Sequence, residues 1–207
     1  MIVDERLVTY INSLDTGNTE ILDQIEKEAI AAYVPIIRKE MQSFLKLLLA
    51  MQKPMRILEV GTAVGFSAIL MAQYAPADCK IVTIENYEKR IPVAKENFKR
   101  AGKDEQITLL EGDAMQILPT LSGEFDMIFM DAAKGQYINF MPDILRLLKS
   151  GGVLVSDNVL QDGDIIESRY GIRRRNHTIH NRMREYLYAL THDEAIDTVI
   201  LETGDGM

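Results

Sequence analysis

Apolar and polar positions along the chain change their period near residue 53. Before it the spacing is helical. In ILDQIEKEAIAAY, Ile21, Leu22, Ile25, Ala29 and Ile30 fall on one stripe. Pro35 interrupts, MQSFLKLLLAMQ resumes the period, and Lys53-Pro54 ends it. Beyond that point short apolar runs recur at 55–60, 80–84, 106–110, 125–131, 152–156 and 196–201. Helical stretches near 65–75, 87–101, 114–119 and 136–149 separate the first five. Strands that are apolar on both faces, each followed by a helix, predict a mostly parallel sheet with helices on both sides. Lys149-Ser150-Gly151-Gly152 reads as the helix stop before the fifth strand. The closing VILETGDGM reads as a strand, a turn and the first residue of a returning strand, so the last strand of the sheet is expected to be absent or cut short. The pattern predicts a single α/β domain over 1–207, with a helical extension over 1–52 and a core over 53–207.

Composition narrows the class without changing the fold. Apolar residues make up 47% and charged residues 26%, which suits a soluble globular chain. No apolar run approaches the roughly 20 residues that span a bilayer, so no membrane partner is expected. The start, MIVDERLVTY, is acidic and mixed, unlike a signal peptide, and a cytoplasmic location is expected. One cysteine, Cys79, excludes an internal disulfide and a cysteine zinc site. The net charge of −8 argues against a general nucleic-acid binder. Residues 169–184, RYGIRRRNHTIHNRMR, break that average with six arginines, two histidines and no acid.

Candidate chemistry sits at the strand ends. The first strand runs into EVGTAVGFS, residues 59–67. Gly61 permits a tight turn and close backbone approach, and Gly65 opens the next helix. The spacing Gly-x-x-x-Gly differs from the dinucleotide fingerprint and disfavours an NAD-type oxidoreductase. Glu59 would repel a pyrophosphate and suit a cationic ligand such as an amino-acid ammonium. The second strand ends at Glu85, where a carboxylate can accept from both ribose hydroxyls. The third leads to Asp113 and Ala114, near where an adenine would lie. Each feature alone is also what a solvated strand end looks like. In order on three consecutive strand ends they describe a pocket for a cationic nucleoside, and S-adenosylmethionine fits it.

The fourth strand ends in FMDAAKGQY and the fifth in SDNV. Asp131, Asp157 and Asn158 are hard oxygen donors, which suit Mg2+ or Ca2+ rather than zinc. Taken alone, Asp157-Asn158 is a common turn pair and Lys134 a common loop lysine. Together they suggest a site where a metal lowers a hydroxyl's pKa, Lys134 takes its proton, and the oxygen attacks the sulfonium methyl in line.

ILEVGTAVGFSAILMA, IVTIENYEKR, LLEGDA, FDMIFMDAAKGQY and GGVLVSDNVL resemble the cation-dependent class I O-methyltransferases of the catechol and caffeoyl-CoA type, over roughly residues 30–205. The resemblance implies a Rossmann-like methyltransferase fold closed by an antiparallel strand pair. It implies metal ligation by Asp131, Asp157 and Asn158, with Lys134 as base. It implies cofactor contacts from Ile37, Glu59, Gly61, Ser67, Glu85, Ala114 and Asp131, and it puts Tyr137 near the substrate. A homodimer is also implied. The chain departs from the pattern in its missing last strand. The glutamate and bulky gatekeepers of the small-molecule catechol enzymes are not identifiable in it either.

AAKGQY, SDNVLQDG and the arginine-rich insert are most similar to the bacterial branch that methylates 5-hydroxyuridine at the wobble position of tRNA. Arg173, Arg174 and Arg175 would then hold phosphates of the anticodon loop. A 5-hydroxyuracil offers adjacent hydroxyl and carbonyl oxygens, a chelating pair like a catechol, and would leave its stack to reach the metal. Such arginines also suit a solvated helix start, or a small catechol-like or hydroxycinnamoyl substrate bearing negative charge. A non-catalytic module that binds S-adenosylmethionine or RNA is the alternative of another class. The full set of Asp131, Lys134, Asp157 and Asn158 argues against it.

Overall fold

The computed structural model describes residues 4–168, 170–203 and 206–207. Strands β1 (Arg56–Val60), β2 (Lys80–Glu85), β3 (Ile107–Glu111), β4 (Phe125–Met130) and β5 (Leu148–Ser156) form one sheet in the order β3-β2-β1-β4-β5. Every pairing between them is parallel. The strand order reverses between β1 and β4, so a crevice opens beyond their carboxyl ends.

Alternation along each strand feeds two cores. Ile57, Ile81, Met127 and Phe129 face one side; Leu58, Val60, Ile128 and Met130 face the other. The first side is covered by α2 (Glu20–Ala31), α3 (Lys39–Gln52), α4 (Phe66–Tyr74) and α5 (Ile91–Arg100). The second is covered by α6 (Ala114–Ile117), α7 (Tyr137–Leu147) and α8 (His177–His192). Each fully buried Leu, Ile or Phe contributes about 1.5–3 kcal/mol of transfer free energy. Helix α4 explains the N-terminal extension. Its residues Phe66–Ala72 are all buried, so a layer must cover its outer side, and α2 and α3 form that layer. Helix α1 (Glu5–Ser13), capped by Asp4 through the Arg6 amide at 2.8 Å, buries none of its side chains.

Three expectations change. The stripe of α2 is narrower than its spacing predicts: Leu22, Ile25 and Ala29 are buried, while Ile30 is 62% exposed. Helix α7 stops at Leu147, and β5 begins at Leu148 rather than Gly152. The register jumps there from Phe125↔Leu148 to Met127↔Val153, with Gly151 at φ +76°. Residues 196–201 form no strand, and no antiparallel pair closes the sheet among the described residues. Apolar side chains make a strand only where an edge accepts its backbone. Here Thr198 Oγ1 donates to the Leu190 carbonyl, Leu201 and Met207 exchange two backbone hydrogen bonds, and Gly206 O accepts from Val159. The segment is tied to α8 and to itself, and Val199 stays 73% exposed.

Candidate active site

A cavity of about 920 Å3 fills the crevice at the switch point. Its walls come from the turn after β1, the ends of β2 and β4, the start of α6, the residues after β5, and the segment Pro35–Arg38. Among the expected cofactor residues, Ile37, Gly61, Ser67, Glu85, Asp113, Ala114 and Asp131 all line it.

Gly61 sits at φ +104°, and a Cβ there would collide with the Asp131 carbonyl. The turn is therefore glycine because two strand ends meet at it. Gly61 N and Thr62 N both donate to Ile84 O, at 3.0 and 3.2 Å, which fixes the turn to β2. Glu85 is held by three backbone amides: Ala63 at 2.7 Å on one oxygen, Asn86 at 3.0 Å and Tyr87 at 2.9 Å on the other. A carboxylate has about four acceptor positions, so capacity remains for a ribose hydroxyl. Asp113 caps α6 through Met115 N at 2.9 Å and holds Ala114 at the cavity wall.

Glu59 is placed differently from the expectation. It is fully buried and does not line the cavity; it lies beneath Ser67 and Thr62, which do. Ser67 and Thr83 donate to its two oxygens at 2.5 Å each. Burial, with repulsion from Asp131 and Glu85, pushes its carboxyl up to about 7 against those two hydrogen bonds.

The edge that carries the expected metal ligands is built by register. Met130 pairs with Ser156, so Asp131 and Asp157 leave two neighbouring strand ends together. Asp157 N donates to Met130 O at 2.9 Å, and Asn158 N to Asp157 Oδ1 at 2.7 Å. Asn158 takes φ +59°, a conformation asparagine tolerates. Asp131, Lys134, Asp157 and Asn158 all face the cavity. Burial raises the Asp131 carboxyl, and the Lys134 ammonium draws it back down. No trio of His, Cys, Asp or Glu converges among the described residues. The donor set is two carboxylates and an amide, all oxygen, and it fits a hard divalent cation.

Two further expectations are corrected. Gly65 is not at the cavity; at φ +85° it caps α4 and packs on Phe98, where a Cβ would meet Cε1 at 2.5 Å. Tyr137 is fully buried and does not line the cavity either. Its hydroxyl reaches Met130 O and Asp157 O at 3.1 Å each, clamping β4 to the turn after β5. Arg173, Arg174 and Arg175, expected to meet phosphates rather than to line the pocket, are exposed in the turn before α8 and are not among the cavity's lining residues. Arg169 falls outside the described residues.

Sequence reasoning missed Thr62 and Thr83. It also missed Asn97, whose Nδ2 holds Val64 O at 2.9 Å and so braces the glycine turn. Arg38 was missed at the mouth, where it meets Asp162 at 3.5 Å. An Asn among the apolar positions of α5 is the only local signal for any of these.

The sheet order, the strand-end carboxylates and the cavity define a Rossmann-like protein that binds a nucleoside at its switch point. Comparison makes the class specific. The sequence profile described as "O-methyltransferase" matches residues 12–207. Catechol O-methyltransferase of Niastella koreensis is 40% identical over 128 residues, 60% of this chain and 58% of that one. Caffeoyl-CoA O-methyltransferase of Medicago sativa is 32% identical over 175 residues, 79% of this chain and 69% of that one. The crystal structure of a methyltransferase from Podospora anserina bound to S-adenosylhomocysteine superposes with a TM-score of 0.87. It is 28% identical and covers 98% of this chain and 92% of that one. The chain belongs to the O-methyltransferase family and is an S-adenosylmethionine-dependent methyltransferase.

Proposed function

We propose that the protein transfers the methyl group of S-adenosylmethionine to a hydroxyl that has a second oxygen beside it, with a divalent cation held by Asp131, Asp157 and Asn158. We further propose that this hydroxyl is carried on RNA, as in 5-hydroxyuridine of a tRNA anticodon loop. A bound Mg2+ would acidify the hydroxyl and offset the two carboxylates. The remaining work falls to the chain. Glu85, Asp113 and Ala114 orient the nucleoside, and Ile37 from the Pro35–Arg38 segment covers it. Lys134 Nζ receives the hydroxyl proton, and the fixed turn at Gly61 sets the methyl in line with the attacking oxygen.

The RNA reading rests on one observation. Arg182 Nη1 donates to Gly135 O at 2.9 Å, next to Lys134, so α8 packs against the loop that carries the proposed base. Arg173, Arg174 and Arg175, exposed in the turn that leads into α8, would offer positive charge to a phosphate backbone whose base enters the cavity. A small catechol-like substrate is the second reading, favoured by the activities for which the relatives are named.

The two separate in binding. Arg173→Ala with Arg174→Ala is expected to weaken tRNA binding and reduce its salt slope by roughly 2. An unchanged slope would remove the RNA from these arginines. Undiminished turnover of a small catechol, with no tRNA product, would favour the second reading.

A further inference from the structure

Beneath the cavity four oxygen-bearing side chains form one hydrogen-bonded chain, Thr62–Thr83–Glu59–Ser67. Thr62 Oγ1 and Thr83 Oγ1 are 2.5 Å apart, Thr83 Oγ1 donates to one Glu59 oxygen, and Ser67 Oγ donates to the other. Relative exposure is 0% for Glu59 and Thr83, 1% for Thr62 and 8% for Ser67. Among the described residues the carboxylate thus has hydroxyl partners and no cation.

The elements packed around it offer none among the described residues. Strand β2 contributes Thr83 and, at its end, Glu85; β4 ends in Asp131; α4 contributes Ser67. Both charged groups are acidic. The three histidines lie on α8 and line no part of the cavity. An ionised carboxylate so enclosed is costly without a counter-charge.

We infer that this floor exchanges a proton with the cofactor: the amino-acid ammonium supplies the missing positive charge, and its binding expels the proton that Glu59 holds in the unliganded protein. Thr62 and Thr83 act as positioning residues, and the direction of their hydrogen bonds follows the proton. With Glu59 ionised, Thr62 donates to Thr83 and Thr83 to Glu59, so the Thr62 oxygen presents lone pairs to the ligand. With Glu59 protonated the chain reverses, and Thr62 presents a donor that opposes an ammonium. The inference rests on the S-adenosylmethionine reading and extends it.

The test is calorimetric binding of S-adenosylhomocysteine to the full chain, in buffers of different ionisation enthalpy, at constant Mg2+, from about pH 6 to about pH 8. The expected release is about half a proton per ligand at pH 7, rising toward one below and falling toward zero above. Affinity should weaken by close to tenfold per pH unit below about 7. Glu59→Gln should abolish the release and flatten the profile. Thr83→Val removes one donor from the carboxylate and should carry the release curve to higher pH, and Thr83→Ser should restore it. A merely structural Thr83 would lower stability and leave that curve in place. Normal binding without proton exchange, or the same exchange in Glu59→Gln, would overturn the inference while sparing the cofactor reading. No binding of S-adenosylhomocysteine at any pH would overturn both.

Discussion

Tyr137 separates what a motif suggests from what the structure assigns. Replacing it by Phe keeps the ring, and with it the edge-on contact to Tyr186 at 5.5 Å between centroids. The change deletes only the hydroxyl. Met130 O keeps a donor, the Asp157 amide at 2.9 Å, while Asp157 O loses the Tyr137 donor. One buried acceptor left unsatisfied costs about 1–3 kcal/mol. For a chain of this size that lowers Tm by roughly 2–12 °C. Because the lost bond tethers the turn that carries Asp157 and Asn158, apparent Mg2+ affinity should fall roughly tenfold. The KM for the methyl acceptor at saturating Mg2+ should hold, since Tyr137 does not line the cavity. Thermal unfolding, a Mg2+ titration of activity and a KM measurement together check this. An unchanged Tm with an unchanged Mg2+ requirement and a raised acceptor KM would refute the clamp and return Tyr137 to the substrate.

Other perturbations read other parts of the site. Gly61→Ala should cost at least about 2 kcal/mol and most of the S-adenosylhomocysteine affinity, because φ +104° and the Asp131 carbonyl both oppose a side chain; differential scanning fluorimetry with and without ligand measures both. Lys134→Ala should lower kcat by roughly 10^2 to 10^4 while S-adenosylhomocysteine binding is kept, because its neutral amine is the proposed proton acceptor. Glu59 predicts a pH slope in the stability of the unliganded protein. Its folded value is raised, so below about 4.5 both states are protonated and nothing is lost. Between about 4.5 and 7 the unfolded chain ionises first and stability falls with rising pH, by about 3 kcal/mol in all, and above about 7 the loss is constant. Denaturant unfolding of Glu59→Gln should lack that slope.

The parallel sheet was legible because its strands are buried on both faces, which leaves a continuous apolar run such as MIFM that little else produces. The strand ends were legible because β4 and β5 each end abruptly in a carboxylate. The run at 196–201 misled for a physical reason: β-type side chains report suitability for a strand, while the strand itself needs a free edge. Tyr137 and Gly65 lie inside motifs that do carry the site, and nearness in sequence did not decide which way they face. The hydroxyl chain that ties Glu59 to the cavity floor could not be read at all. It joins Thr62 to Thr83 across 21 positions and depends on the register that pairs Glu59 with Thr83. The brace from Asn97 to Val64 O likewise spans 33 positions.

The most direct measurement gives the purified protein isotopically labelled S-adenosylmethionine and a substrate whose hydroxyl has an oxygen neighbour, with Mg2+ or with exhaustive chelation, and reads products by mass spectrometry. Both tRNA bearing 5-hydroxyuridine and a catechol should be offered. Labelled methyl is expected on the hydroxyl oxygen in Mg2+ and none after chelation, while S-adenosylhomocysteine binding should survive chelation. Methyl transfer that persists at full rate without any divalent cation would contradict the roles given to Asp131, Asp157 and Asn158.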